Sequence, residues 1–284
     1  MPYTLPCVIL LDITDIIMSN KLFGLRDFEG KYNCRVKLYP DEKGQFQIVE
    51  EMVSSDYIFN PDGLELRGSR GVCNFRGQTS EAEKVSRSKS RANSKIKDLI
   101  YCNDFQYFVT LTLSAEKVDR NNYNDVMKKL NIYLANRVRR NGLYYVGVPE
   151  LHKKGGFHFH FLMNDCLSLI DSGTVIRPTG GKPVKVKTAL YQRYKLEDCR
   201  KVYNIHDWKL GFTTAIKLYG DRGAVANYIG KYITKGEKVG GRWYYSGGDL
   251  KRPKYLYRNE DFDSFKPDYS FECPRGKMLV RTYL

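Results

Sequence analysis

The chain has no apolar run long enough to cross a bilayer and no amphipathic stretch suited to lie on one, so a membrane protein is not expected. Its seven cysteines (Cys7, Cys34, Cys73, Cys102, Cys166, Cys199 and Cys273) are odd in number, widely spread and form no C-x-x-C pair. That argues against a disulfide framework and a zinc ribbon, and fits reduced thiols. The apolar stretch from Val8 to Met18 is interrupted by Asp12 and Asp15 and follows no basic segment, against a secretory signal. A cytoplasmic chain, at work inside a host cell, is the expectation. There is no internal repeat and no G-x-x-x-x-G-K-[ST], hence no P-loop motor in this chain. Histidine is scarce, with His152, His158, His160 and His206 the complete set. Acidic residues are short as well: 32 Asp+Glu face 47 Lys+Arg, leaving a net charge of +15. Such an excess favours a polyanionic partner, nucleic acid ahead of membrane.

Tyrosine is abundant, at 22 residues, and is interleaved with lysine and arginine, which suits base stacking on a single strand. At 284 residues the chain accommodates one domain with elaborations, or a domain plus an appendage. Three parts are expected: residues 1–103 with a hairpin and a basic helix, a candidate DNA-binding extension; a central domain over 104–240; and a loop-rich C-terminal extension over 241–284. In the first part, Tyr32–Tyr39 and Gln45–Glu51 flank a turn at Pro40–Gly44. Ser80–Ile100 reads as a helix carrying Lys84, Arg87, Lys89, Arg91, Lys95 and Lys97, either a solvated face or a phosphate-binding one.

In the central part, Phe105–Leu113 alternates as a strand. Asn121–Asn141 follows as a helix, with Val126, Met127, Leu130, Leu134 and Val138 at helical spacing and Gly142 ending it. Leu143–Val148 is a second strand leading to Glu150, and Phe157–Met163 a third. This order suits an α+β fold, an antiparallel sheet with helices on one side. Asp165–Asn204 reads as an irregular insertion, Trp208–Leu218 as a strand, and Asp221–Lys235 as a helix capped by Asp221 and stopped at Gly236.

The third strand holds the main chemical signal. In Gly156-Phe-His-Phe-His-Phe-Leu-Met163, side chains alternate faces, so His158 and His160 point one way and Phe157, Phe159 and Phe161 the other. If the two strands form a hairpin around His152–Gly155, Glu150 sits beside the imidazoles. Two imidazoles and a carboxylate leave coordination positions open, as a catalytic site for Mg²⁺ or Mn²⁺ requires. A satisfied core pair of histidines is the competing reading; Glu150 within reach favours the ligand set.

The second signal is Tyr228-Ile-Gly-Lys-Tyr-Ile-Thr-Lys235. On a helix Val225, Ile229 and Ile233 form one stripe, and Tyr228 with Tyr232 a second, edged by Lys231 and Lys235. The tyrosines are core-edge residues or, since an aliphatic stripe already serves the core, free for chemistry. A phenol can attack a phosphodiester when a cation polarises the phosphate and a lysine favours the phenolate. The product, a 5′-phosphotyrosine, keeps the bond energy needed for resealing, and two tyrosines permit two successive transfers.

Taken together, Phe108-Val-Thr-Leu-Thr112, the histidine strand and the Y-x-x-K-Y helix resemble the three signatures of the HUH endonuclease superfamily, in particular rolling-circle replication initiators of single-stranded DNA phages and related plasmids or integrative elements. The likeness runs over roughly 105–235. It implies a ferredoxin- or RRM-like palm whose central antiparallel sheet bears the histidines. It further implies that His158, His160 and Glu150 hold Mg²⁺ or Mn²⁺. Tyr228 and Tyr232 would nick and rejoin single-stranded origin DNA, with Lys231 assisting the phosphate or phenolate. Thr110 and Thr112 lie on a strand that is structural in that superfamily. Helicase and DNA polymerase would be separate, supplied by the bacterial host. Neighbouring variants are a relaxase and a transposase. Outside this class stand a non-catalytic nucleic-acid-binding module and a metal-dependent hydrolase of a small phosphate ester.

Overall fold

A computed structural model of the chain describes residues 33–40, 46–53, 80–120, 122–151, 156–219, 222–235, 241–258, 264–273 and 276–283. In chain order the elements begin with strands β1 (Cys34–Pro40) and β2 (Phe46–Val53), helix α1 (Glu81–Cys102), β3 (Tyr107–Leu113) and α2 (Tyr123–Asn141). Then come β4 (Tyr145–Leu151), β5 (Phe157–Met163), β6 (Leu169–Ile176), β7 (Val184–Lys185), α3 (Val186–Tyr191), β8 (Arg200–Ile205) and β9 (Gly211–Lys217). Helix α4 (Arg222–Lys235) follows, and β10 (Tyr245–Gly247), β11 (Lys254–Arg258), β12 (Tyr269–Cys273) and β13 (Gly276–Tyr283) close the list. The turns expected at 41–44 and 152–155, the cap at Asp221, the stop at Gly236 and the stretch Val8–Met18 lie outside the described residues.

The chain divides into two compact units. The smaller collects 1–38, 47–74 and 254–284. Its sheet has the order β11-β1-β2-β13-β12, so the N-terminal hairpin strands pair with strands from the far end of the chain. The stretch after 254, expected to be loop-rich, therefore supplies three strands. Strands β11 and β13 leave no local sign of their pairing because their partners β1 and β2 lie over 200 residues away, whereas β12 pairs with its neighbour β13.

The larger unit, 39–46 and 75–253, is an α+β body. Its eight-stranded sheet has the order β10-β4-β5-β3-β9-β8-β6-β7, and every neighbouring pair is antiparallel. Helix α2 covers one face: Val126, Met127, Leu130 and Leu134 pack on Val109, Leu111, Leu113, Phe159 and Phe161. The helix starts where Asn122 accepts from the amides of Asn124 and Asp125, and ends at Gly142 with φ of 66°, a left-handed conformation glycine adopts without cost. On the other face Ala92, Ile96, Leu99 and Ile100 of α1, with Ala226 and Ile229 of α4, pack on Phe108, Val146, Val148 and Leu162. Helices thus lie on both sides rather than one. The central strands carry apolar residues at both parities, and such strands must be covered twice.

Helix α1 has a dual character. Its inner stripe is buried while Lys84, Arg87, Arg91, Lys95 and Lys97 stay exposed, and Lys89 lies over the Trp243 ring at 5.2 Å. Ser80 and Glu83 close a capping box at its start. The segment expected to be an irregular insertion, 165–204, instead contributes β6, β7 and β8 to the main sheet. Its alternation is hidden by a register shift between Asp171 and Thr174, where Gly173 takes φ of 66°.

Candidate active site

Strand β5 lies between β4 and β3, and the registers decide what surrounds its histidines. Glu150 stands opposite His158 and Val148 opposite His160 on one side; Thr112 stands opposite His158 and Thr110 opposite His160 on the other. Directly paired residues of an antiparallel ladder share a face. Two rows therefore run across the sheet, Glu150–His158–Thr112 and Val148–His160–Thr110.

The threonine hydroxyls meet the inner ring nitrogens. Thr110 Oγ1 is 3.1 Å from His160 Nδ1, and Thr112 Oγ1 is 3.2 Å from His158 Nδ1. On its other side His160 Nε2 lies 2.6 Å from Glu150 Oε2. With Nε2–H donated to Glu150, Nδ1 accepts from Thr110. A hydroxyl both donates and accepts, so it can rotate to receive Nδ1–H once Nε2 gives its proton up. These threonines, on a strand the resemblance implies to be structural, each meet a histidine. The available signal was their parity, since Thr110 and Thr112 alternate just as His158 and His160 do.

Helix α4 brings the tyrosines to this row. The Tyr232 ring stacks on His160 with centroids 4.1 Å apart, and Phe108 flanks the same imidazole at 5.7 Å. Phe108 also meets Tyr228 edge-on at 5.0 Å. The two phenol oxygens are 3.2 Å apart. Ile229 is fully buried beneath them, as the aliphatic stripe requires, while Tyr228 remains 44% exposed. Lys231 is exposed on the same helix. The side chains of Ile233 and Lys235 lie outside the described ones.

Burial, first, then the hydrogen bond with Tyr228 and the negative charge of Glu150, push the Tyr232 phenol above its ordinary range. The Tyr232 phenol is thus held protonated. Burial also holds the His160 imidazole below its usual value, while Glu150 pulls it partly back.

Among the described residues, no group of three or more His, Cys, Asp or Glu side chains is gathered tightly enough for a metal ion. His160 and Glu150 meet directly, whereas His158 is engaged with Thr112 and faces Glu150 across the ladder. The donor types still suit Mg²⁺ or Mn²⁺: one carboxylate and two imidazoles with their inner nitrogens occupied by hydroxyls.

The lowered basicity of His160 has a sign that can be checked. Its folded-state pKa lies below the unfolded one, so the unfolded chain binds the proton first and stability falls as pH drops through the unfolded value, about 6.5. The stability this group confers is complete above that value. Thermal unfolding followed from pH 7 to about 5 is expected to lose more stability in the wild type than in His160→Asn. Parallel slopes would show that His160 carries none of the loss.

No curated protein and no solved structure gives a significant match to the chain. A family model does: residues 106–237 match that of the replication-associated protein ORF2/G2P. This span runs from β3 through α4 and contains Thr110, Thr112, His158, His160, Glu150, Tyr228 and Tyr232. Over that segment, somewhat less than half of the chain, the sequence is similar to the replication-associated ORF2/G2P family.

Proposed function

We propose that this protein initiates replication by nicking and rejoining single-stranded origin DNA, as the HUH rolling-circle initiators it resembles do. The observation that carries the reading is the stack of Tyr232 on His160, with the Tyr228 hydroxyl 3.2 Å from that of Tyr232. Two candidate nucleophiles thereby stand beside an imidazole–carboxylate pair on a basic protein. A core-edge role for the tyrosines would require neither the stack of Tyr232 on His160 nor the approach of the two phenol oxygens.

Glu150, His158 and His160 are the residues that would hold a divalent cation, Mg²⁺ or Mn²⁺. Such an ion, when bound, would polarise a scissile phosphate. The chain's own part is nucleophilic. A tyrosine oxygen attacks the phosphorus and the P–O3′ bond breaks. The phenol's proton goes to solvent water and the released 3′ oxygen takes one up from water, leaving a 5′-phosphotyrosine and a free 3′ hydroxyl. Attack by a 3′ hydroxyl reverses the step without net hydrolysis. Lys231 would steady the phosphate or the phenolate from the helix. Unwinding and synthesis fall to a separate helicase and polymerase.

The test is to incubate the protein with Mg²⁺ or Mn²⁺ and a single-stranded oligonucleotide carrying its origin, then sequence the crosslinked peptide by mass spectrometry. The expected product is a 5′-phosphate adduct on Tyr228 or Tyr232. An adduct on any other residue, or binding with no cleavage at all, would overturn the assignment.

A further inference from the structure

We infer that Phe212 is a stacking platform for a nucleobase next to the scissile phosphate, at the edge of an open strip of sheet that guides the single strand. The position of that phosphate rests on the function proposed above. Phe212 is the second residue of β9, which pairs with β3 along its length and with β8 at Ala215 and Ile216, and it is 76% exposed. Its cross-strand partner is Thr112, whose hydroxyl meets His158 Nδ1. The row Glu150–His158–Thr112–Phe212 therefore crosses four adjacent strands on one face. At about 5 Å per strand, Phe212 stands roughly 10 Å from His158, within reach of a nucleotide adjoining one held at the imidazoles.

Single exposed apolar residues are common on protein surfaces. Phe212 differs in its company. Helices α1 and α4 cover the side of this face over β4, β5 and Phe108. By parity with Val202 and its partner Ile216, the same face continues through Thr214, Asn204 and Ile170, and both Asn204 and Ile170 are exposed. The exposed positions Phe212, Asn204 and Ile170 thus lead away from the candidate catalytic row, while Val202 further along the same face is buried. A cation lies at the same end of the sheet: the Arg120 side chain runs along Gly156, two residues before His158, where a Cβ would come within 3.4 Å of it. An aromatic ring and an arginine at the same end of one sheet suit the alternation of base and phosphate in an unpaired strand. A duplex, with its bases stacked on one another, offers no such face, and a small phosphate ester has no base to stack.

The test compares a fluorescein-labelled oligothymidine with a strand of the same length made of abasic spacers. Phe212→Ala should weaken oligothymidine binding by about 5- to 150-fold, the range expected for one stacked base. The abasic strand should bind wild type and variant alike, and Phe212→Trp should retain affinity while adding an indole emission that oligothymidine quenches. Unchanged melting of the variants excludes misfolding. If Phe212→Ala leaves oligothymidine binding intact, or weakens both strands equally, the platform does not exist. The covalent-adduct assay separates the two readings. Adduct formation with no Phe212 dependence sinks the platform alone, and Phe212-dependent binding without any adduct sinks the nuclease alone.

Discussion

Replacing both Tyr228 and Tyr232 with phenylalanine is expected to abolish the covalent adduct while leaving DNA binding and folding intact. Each change removes one oxygen, and the two oxygens lie 3.2 Å apart at the half-open edge of the helix, so no packing is lost. The rings that contact Phe108 and His160 remain. Loss of a nucleophile in a comparable covalent enzyme costs on the order of 10⁶ in rate, which in a gel assay is disappearance. The single variants should behave differently from the double. Each retains one phenol and should still form an adduct, but a second transfer without release of the strand needs both. Resealed product should therefore fall more than nicked product in either single variant. In Tyr228→Phe the remaining phenol is the one whose proton burial and Glu150 hold tightly. Its rate should climb with pH across the range in which the fold survives. Adduct at full yield in the double variant would place the chemistry elsewhere in the chain.

How much of this was legible in the sequence follows from what kind of signal each feature leaves. The histidine strand, the threonine strand and the tyrosine helix were readable because each is a local period: two residues for β3 and β5, about four for α4. The sheet register was not, since hydrogen bonds between β4, β5 and β3 leave no mark on any one strand. Glu150 could be placed near the histidines through an expected hairpin, but its direct bond to His160 rather than His158 depends on side-chain reach across the ladder. The threonine partners escaped for the same reason, although their spacing matched. Phe212 was hidden more deeply, because nothing in Gly-Phe-Thr-Thr tells an exposed ring from a buried one. The strands at 169–176, 200–205 and beyond 254 were missed where a bulge or a distant partner replaced local alternation.

The strongest stability effect should come from the face opposite the histidines. Phe161 is fully buried, stacks near Phe159 at 6.2 Å and meets Tyr145 edge-on at 5.4 Å. Across the ladder its partner is Gly147, and the reason for glycine there is space: a Cβ at 147 would fall 2.0 Å from Phe161 Cδ1. Phe161→Ala is expected to cost about 3–5 kcal/mol and Gly147→Ala about 1–3 kcal/mol, read from denaturant midpoints. The two costs have opposite origins, a void in one case and a clash in the other. Combining Gly147→Ala with Phe161→Ala should therefore cost less than the sum, since the methyl enters the space the ring has left. Strict additivity would mean that the ring does not lie over the glycine. Because side chains alternate, this pair points away from Glu150, His158 and His160. Adduct formation per folded molecule should accordingly survive in Gly147→Ala, which separates the scaffold holding β5 in register from the groups on its other face.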